Sequence, residues 1–277
     1  MINSPPFQRT VASFIKGSTR QRISRKNLEK IEIPLPSLPD QRRIAQILDK
    51  ADALRRKRAE ALTRLNSLGQ SIFHEMFGAW HTERSRWDMV DLGKEMDFLT
   101  SGSRGWAEYY TETGASFIRI QNVRRGYFDL DDMAFVNPPV SAEARRTKVQ
   151  PRDVLMSITA DLGRAAVVPD DIGEAHINQH LAIIRNSAFN PYFLVSALTS
   201  QSGQIAVTKK DRSAVKSGLN FDDIRSLSLI SPPRKLQNEF ENRLHSIGAL
   251  QQTYTKESAE IDSLFASLQH RAFRGEL

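Results

Sequence analysis

Apolar positions recur at helical spacing over two long stretches of the chain. From about Gln41 to Phe77, positions seven apart are Ile44, Ala51, Arg58, Leu65 and Ile72. A second line, three residues on, is Ile47, Leu54, Ala61, Leu68 and Glu75, with Leu48, Leu62 and Met76 widening the stripe. Two such lines predict a heptad helix with an a/d seam, here about five heptads and roughly 55 Å long. Asp40, just after a proline, is the predicted N-cap, and Gly78 the predicted stop. Near the C-terminus the a line is Phe240, Ile247, Tyr254, Ile261 and Leu268, and the d line is Arg243, Leu250, Glu257, Leu264 and Arg271. Neither helix can leave its stripe in water, so the two are expected to pair antiparallel as a coiled coil. The residues expected to make that pairing are Ile44, Ile47, Leu54, Leu65, Leu68 and Ile72 with Phe240, Ile247, Leu250, Ile261, Leu264 and Leu268.

The two stretches are copies of one another. At an offset of 196, Ile23 meets Leu219, Leu28 meets Ile224, Ile31 meets Leu227 and Ile33 meets Leu229. Pro36 then meets Pro232, Gln41 meets Gln237, Leu48 meets Leu244, and Phe77 meets Phe273. Apolar matching in register over some fifty positions is an internal repeat, and each copy consists of an extended arm followed by a long helix. Residues 23–78 form the first copy and 219–277 the second. Ile2 and Ser4 match Leu198 and Ser200 at the same offset, so residues 1–22 are expected to be a remnant equivalent to the end of the domain between the copies.

That domain, residues 79–218 with its linker, has a mixed α/β pattern. Strands are predicted at Ser116–Val123, Asp153–Thr159, Ala165–Val168 and Ile177–Ile184, with turns at Gly126, Gly163 and Pro169-Asp170-Asp171. A short helix is expected over Pro191–Ser202. The fold class is thus α+β: one mixed α/β domain plus two long helices.

Composition narrows the chemistry. The 277 residues are 40% hydrophobic, without an apolar run long enough for a membrane span or a signal-peptide pattern, which predicts a cytoplasmic protein. The absence of cysteine excludes disulfides, thiolate metal sites and cysteine nucleophiles. Net charge is +7, and it is unevenly spread: residues 1–60 hold fourteen Lys/Arg against six Asp/Glu, residues 234–277 six of each. Such a bias suits a polyanionic partner.

Catalytic motifs do not assemble. Asn137-Pro138-Pro139 is followed by Val140, where an adenine-gripping motif needs an aromatic, so it is expected to be a loop. There is no phosphate-binding Gly-Lys loop and no Glu-x-Lys pair, and His176 and His180 without cysteines are weak metal ligands. No catalytic residue, metal or cofactor is expected in this chain. What remains suits nucleic acid: Ser101, Ser103, Arg104, Trp106 and Tyr109 on a Gly/Ser-rich loop, then Arg119, Gln121, Asn122 and Arg124, then Arg164, Asn178, Gln179 and His180, and last Lys209, Lys210, Arg212 and Lys216. Arginine pairs with guanine edges and Asn/Gln with adenine, while lysine and serine hold phosphates.

The alternation of such a domain with a long-helix region resembles the DNA specificity (S) subunit of type I restriction–modification systems. The residues carrying the resemblance are Gly17-Ser18-Thr19, Ile31-Glu32-Ile33-Pro34-Leu35-Pro36, Gln41-Arg42-Arg43-Ile44-Ala45, Phe73-His74-Glu75-Met76-Phe77, Phe117-Ile118-Arg119-Ile120-Gln121-Asn122, Asp153-Val154-Leu155, Asn178-Gln179-His180, Pro232-Pro233 and Phe273-Arg274-Gly275-Glu276-Leu277. The resemblance implies a non-catalytic subunit whose recognition domain reads half of a bipartite site in double-stranded DNA. It implies helices that space the site and dock methyltransferase (M) subunits, which carry the methyl donor, and an assembly that a restriction (R) subunit can join. A full family member has two recognition domains, where this chain has one plus the remnant, so a homodimer on a split palindrome is expected. The alternative is a truncated scaffold that competes for methyltransferase subunits without reading DNA.

Overall fold

The computed structural model describes residues 5–15, 22–32, 35–81, 85–211, 218–272 and 276. The expected DNA contacts Arg212 and Lys216 lie outside the described residues, as do Ile2, Ser4, Gly17-Ser18-Thr19, Ile33-Pro34 and Phe273-Arg274-Gly275. The elements in chain order are α1 (Pro5–Phe14), α2 (Arg25–Leu28), α3 (Leu38–Phe77), β1 (Met89–Asp91), β2 (Phe98–Ser101), β3 (Tyr110–Thr111), β4 (Ala115–Ile118), β5 (Ala134–Val136), α4 (Ala142–Thr147), β6 (Val154–Ser157), β7 (Ala165–Val167), β8 (Ala175–Ile177), β9 (Leu181–Arg185), α5 (Pro191–Thr199), α6 (Gln201–Lys210), α7 (Phe221–Arg225), β10 (Ser228–Ile230) and α8 (Arg234–Ala272). They form two compact units, one of residues 1–66 with 249–277 and one of residues 67–248. No helix of the described residues is long and apolar enough to cross a membrane.

In the first unit α3 and α8 run antiparallel. Arg55 pairs with Asp262 at 2.6 Å, Arg58 with Glu257, and the Gln251 amide donates to Asn66 at 2.9 Å. Arg55 and Arg58 also lie over the Phe265 and Tyr254 rings, at 4.6 and 4.7 Å. The predicted lines Ile44–Ala51–Arg58–Leu65 and Tyr254–Ile261–Leu268 do face the seam. The second line is shifted by one residue. Ile47 and Ala61 of the predicted line on α3, and Glu257 on α8, are half-buried, but so are Leu48, Arg55 and Leu62 one residue on, and Gln251, Ser258 and Phe265 on α8. Leu54, Leu68, Leu250 and Leu264 are 48, 38, 50 and 57% exposed, so these four expected pairing residues lie outside the seam. The physical reason is that the true second line contains Arg55, Gly69, Gln251 and Ser258, whose polar groups are paired across the helices or small enough to fit. Counting apolar residues favours the three-residue step throughout, which fails at Leu54 and Leu68, where Arg55 and Gly69 one residue on are half-buried instead.

The helix starts and the arms differ from expectation. The Ser37 hydroxyl caps α3, accepting from the Asp40 backbone N–H at 3.4 Å and donating to the Asp40 carboxylate at 2.5 Å. Asp40 therefore sits in the first turn, where a carboxylate opposes the helix dipole, and not at the cap. Gly78 ends α3 as expected, at φ +81° with its N–H on the His74 carbonyl. Each arm, expected to be extended, contains a short helix: Ser24 caps α2 by accepting from Asn27 N–H, and Asn220 caps α7 by accepting from Asp223 N–H. The offset of 196 carries Ser24 to Asn220 and α1 onto the residues of α6.

Among the described residues, the second unit holds three sheets. Strands β2-β9-β6-β7 form an antiparallel sheet, β3-β5-β4-β8 a second sheet with β4 and β8 parallel, and β1 pairs with β10 of the second arm. Strands β6 and β9 are buried on both faces, which is why they read as unbroken apolar runs. One face of that sheet packs on α5, and Phe193 meets Phe77 and Phe73 of α3 at 4.9 and 5.6 Å, with Phe240 of α8 closing the cluster. Two strand expectations were too long. Strand β4 ends at Ile118, and a 3-10 turn over Ile120–Asn122 follows. The run Ile177–Ile184 divides into β8 and β9 around a turn at Asn178–His180. The helix expected over Pro191–Ser202 is two helices, broken at Ser200, whose side chain caps α6.

Candidate nucleic-acid interface

The antiparallel registers bring several predicted residues to one end of the β2-β9-β6-β7 sheet. Ser101, last in β2, faces Ala182; Leu181, first in β9, faces Ser157, last in β6; Ala165, first in β7, faces Met156. The loop after β2, the turn before β9 and the turn between β6 and β7 therefore share one rim.

The first loop is built from below. Gly102 lies so close to the β8–β9 turn that a Cβ would come within 2.1 Å of the Asn178 carbonyl oxygen, so only glycine fits. Gly105 takes φ +89°, which turns the chain back. Arg146 of α4 donates to the Ser101 carbonyl at 2.6 Å, to Ser103 Oγ at 3.1 Å and to Thr100 Oγ1. Trp106 is buried, stacked on Phe117 at 5.1 Å and tilted against His176 at 5.2 Å, with Tyr109 edge-on at 6.0 Å. Ser103 and Trp106 thus support the loop from inside and do not face solvent. Arg104 is exposed at the apex with no side-chain partner among the described residues.

The second turn is locked to the third. Asn178 is buried, its N–H on the Ile118 carbonyl and its Oδ1 accepting from His180 N–H at 3.1 Å. His180 Nδ1 bonds Thr159 Oγ1 at 2.6 Å and its Nε2 meets the Gln179 amide at 3.0 Å. In the third turn, Arg164 donates to Asp161 at 2.7 Å from Nε and Arg125 donates to the same carboxylate at 3.2 Å. Partial burial pushes the Asp161 carboxyl up, but hydrogen bonds from Arg164 and then Arg125 outweigh it and hold the group below its ordinary range. Gln204 of α6 donates to the Gly163 carbonyl at 2.9 Å, which ties α6, with Lys209 and Lys210 in its last turn, to this rim. Arg125, Gln204, Thr199 and Lys209 line a groove of about 650 Å³.

Arg119, Gln121 and Asn122 are engaged internally. Arg119 donates to the Asp132 carbonyl at 2.5 Å and Gln121 to the Asp132 carboxylate at 3.1 Å. Asn122 is fully buried, accepting from Arg119 N–H and donating to the Asp129 and Asp131 carbonyls. Its expected role as a base contact is replaced by a scaffolding one, because all its polar atoms are used to fold the segment back. Arg124 donates to Asp129 at 3.0 Å.

His176 sits in β8, 2% exposed, with Nδ1 3.4 Å from Thr147 Oγ1 and Nε2 3.8 Å from the Glu174 carboxylate. Burial pushes its pKa down, against the opposing charge of Glu174. Among the described residues no group of three or more His, Asp or Glu could hold a metal ion. Asn137-Pro138-Pro139 lies in a loop, as expected. The sequence did not single out Arg146, Thr159, Asp161 or Tyr127. Their positions follow from chain pairings that no local pattern signals.

Comparison with known proteins agrees with this architecture. The type I restriction modification DNA specificity domain matches residues 7–64. The chain is 22% identical over 307 residues to the type I restriction enzyme EcoBI specificity subunit of Escherichia coli, covering 99% of this chain and 64% of that protein. It is 24% identical to the EcoKI specificity subunit of Escherichia coli (strain K12), covering 98% and 63%. The fold is shared, at TM-score 0.68 and 21% identity over 98% of this chain and 68% of the other, with a chain from a structure addressing complex assembly and conformational transition of the type I R-M system. The chain thus spans just under two thirds of the length of those two relatives. With the match to the specificity domain at its N-terminal end and this similarity along nearly its whole length, the chain is similar in sequence and fold to type I restriction–modification DNA specificity subunits.

Proposed function

We propose that this chain is a non-catalytic, sequence-reading subunit that directs a type I adenine methyltransferase complex to double-stranded DNA. The observation that carries the reading is the gathering of Arg104, Gln179, Arg164, Arg125 and Lys209 at one rim of a sheet whose interior is apolar. Cations on a rigid rim grip phosphates, and an unpaired arginine at a loop apex is suited to a guanine edge. Methyl transfer belongs to M subunits docked on the helices, and an R subunit would extend the assembly to cleavage. Two copies related by a two-fold axis would present two identical recognition domains, and so would read a split palindrome with fixed spacing.

Co-expression with a type I methyltransferase subunit, followed by mapping of methylated adenines, tests the proposal. The expected result is methylation at one bipartite palindromic sequence that depends on this chain. Methylation that ignores the chain would overturn the DNA-reading function. An asymmetric methylated site, or sedimentation as a monomer at micromolar concentration with the partner present, would overturn the homodimer.

A further inference from the structure

The segment Arg124-Arg125-Gly126-Tyr127 is the tip of a tight hairpin, with Val123 bridged to Phe128 and the Arg124 N–H on the Tyr127 carbonyl at 3.0 Å. The tip is braced on three sides. Arg124 pairs with Asp129 at 3.0 Å, Gly126 N–H donates to the Ala165 carbonyl at 2.9 Å, and Arg125 pairs with Asp161 at 3.2 Å. Gly126 has φ +98°, so the turn itself requires glycine. Out of this fixed tip stands the Tyr127 ring, 61% exposed and with no ring or hydrogen-bond partner for its side chain among the described residues.

A single exposed aromatic on a protein surface is ordinary. Tyr127 differs in its surroundings. The groove beside the tip is lined by both Arg125 and Lys209, together with Thr199 and Gln204. Gly126 abuts Thr199, so the tip forms one wall of that groove. An aromatic ring on a rigid tip, flanked by cations, fits a polyanion that also offers flat apolar surfaces. Duplex DNA has both: phosphates for the cations, and sugars and base edges for the ring. Aromatic and apolar side chains inserted at base steps read sequence through the ease with which a step opens.

We infer that the Arg124–Tyr127 hairpin tip is a second DNA-reading element, in which Arg125 and Lys209 hold phosphates and Tyr127 packs against base edges to set sequence choice. This rests on the DNA-reading function proposed above, and assigns to the tip a share of the specificity apart from Arg104. Because Arg124 and Gly126 are held by the fold, the ring arrives preorganised and little ordering is left to be done on binding.

The test is selection of bound duplexes from a randomised pool by the full chain with its methyltransferase partner, alongside salt titrations. Tyr127→Ala is expected to lower discrimination between the preferred duplex and single mismatches at some positions about tenfold, with the salt slope and melting temperature unchanged. Tyr127→Phe is expected to keep most of that discrimination. Lys209→Ala is expected to weaken all duplexes alike and to reduce the slope by about one. A wild-type chain that selects a sequence, with Tyr127→Ala selecting the same sequence as strongly, would overturn the role of the tip while leaving the DNA-reading function intact. A wild-type chain that selects no sequence would overturn both.

Discussion

Gln41 and Gln237 make the same hydrogen bond in the two copies of the repeat. Each side-chain amide donates to a proline carbonyl five residues earlier, Pro36 or Pro232, at 2.8 Å. The bond fixes the entry of the chain into a long helix whose first residues have no intrahelical acceptors. The copies differ in what surrounds them. Gln237 is buried and its Oε1 also accepts from the Asn190 backbone N–H at 2.8 Å, at the start of α5, whereas Gln41 is half-buried. Gln237→Ala would leave two buried polar groups unpaired, at a cost of about 2–4 kcal/mol. Gln41→Ala is expected to cost about 0.5–1 kcal/mol, since water can replace the lost partner. Urea denaturation of the two variants checks the difference, and equal losses would contradict it.

The seam between α3 and α8 makes a sharper distinction between two leucines. Leu65 lies on the line that faces the partner helix, and Leu264 is 57% exposed. Leu65→Lys is expected to cost about 2–3 kcal/mol by forcing an ammonium group into the seam. Leu264→Lys is expected to change stability by less than about 0.5 kcal/mol, as surface substitutions do. Thermal melts of both variants decide the register, because a seam that held both leucines would give two comparable losses.

These leucines also mark how far the sequence could be read. The long helices, their antiparallel pairing and the repeat were legible because apolar periodicity is written directly into residue order. The helix face was not, since Arg55 and Gln251 look like surface residues until Asp262 and Asn66 are brought opposite them. Strands were extended too far for a related reason. Asn122 and Asn178 are buried like strand residues, yet their side chains bond to backbone and turn the chain. At the candidate interface, the exposed position of Arg104 was legible from its Gly/Ser-rich loop, and Gln179 was a candidate by residue type alone. The support that Arg146 gives the loop from 43 residues away was not, nor was the pairing of Asp161 with Arg125.

Acid should destabilise the second unit in two separate pH windows. His176 has a folded pKa below its usual 6.5 because burial disfavours the imidazolium, so the unfolded chain binds the proton first. Stability then falls as pH drops below about 6.5 towards the folded value. The Glu241 carboxyl is pushed up by burial, but hydrogen bonds from Arg152, Asn190 and His245 bring it down to about 2 from 4.5. Its contribution is present above pH 4.5 and is lost as pH falls towards 2. Glu241→Gln is expected to flatten the lower window and His176→Phe the upper one, measured as melting temperature against pH. A variant whose profile parallels the wild type would contradict its assignment.

The recognition rim and the scaffold beneath it should respond differently to substitution. Arg104 is exposed and has no side-chain partner among the described residues, so Arg104→Ala is expected to leave melting temperature unchanged and relax base preference, at about 1–3 kcal/mol of discrimination. Asn122 has every polar atom occupied inside the fold. Asn122→Ala is therefore expected to lose about 2–4 kcal/mol of stability through three stranded backbone groups. Whatever DNA affinity it loses should return when binding is measured at a temperature where the variant is fully folded. The pair separates residues that read DNA from residues that hold the readers in place. Duplex binding and thermal melts on the same two preparations decide it. Should Asn122→Ala keep its stability while changing the preferred sequence, the asparagine is a contact and the assignment of the rim must move to the Arg119–Asp132 segment.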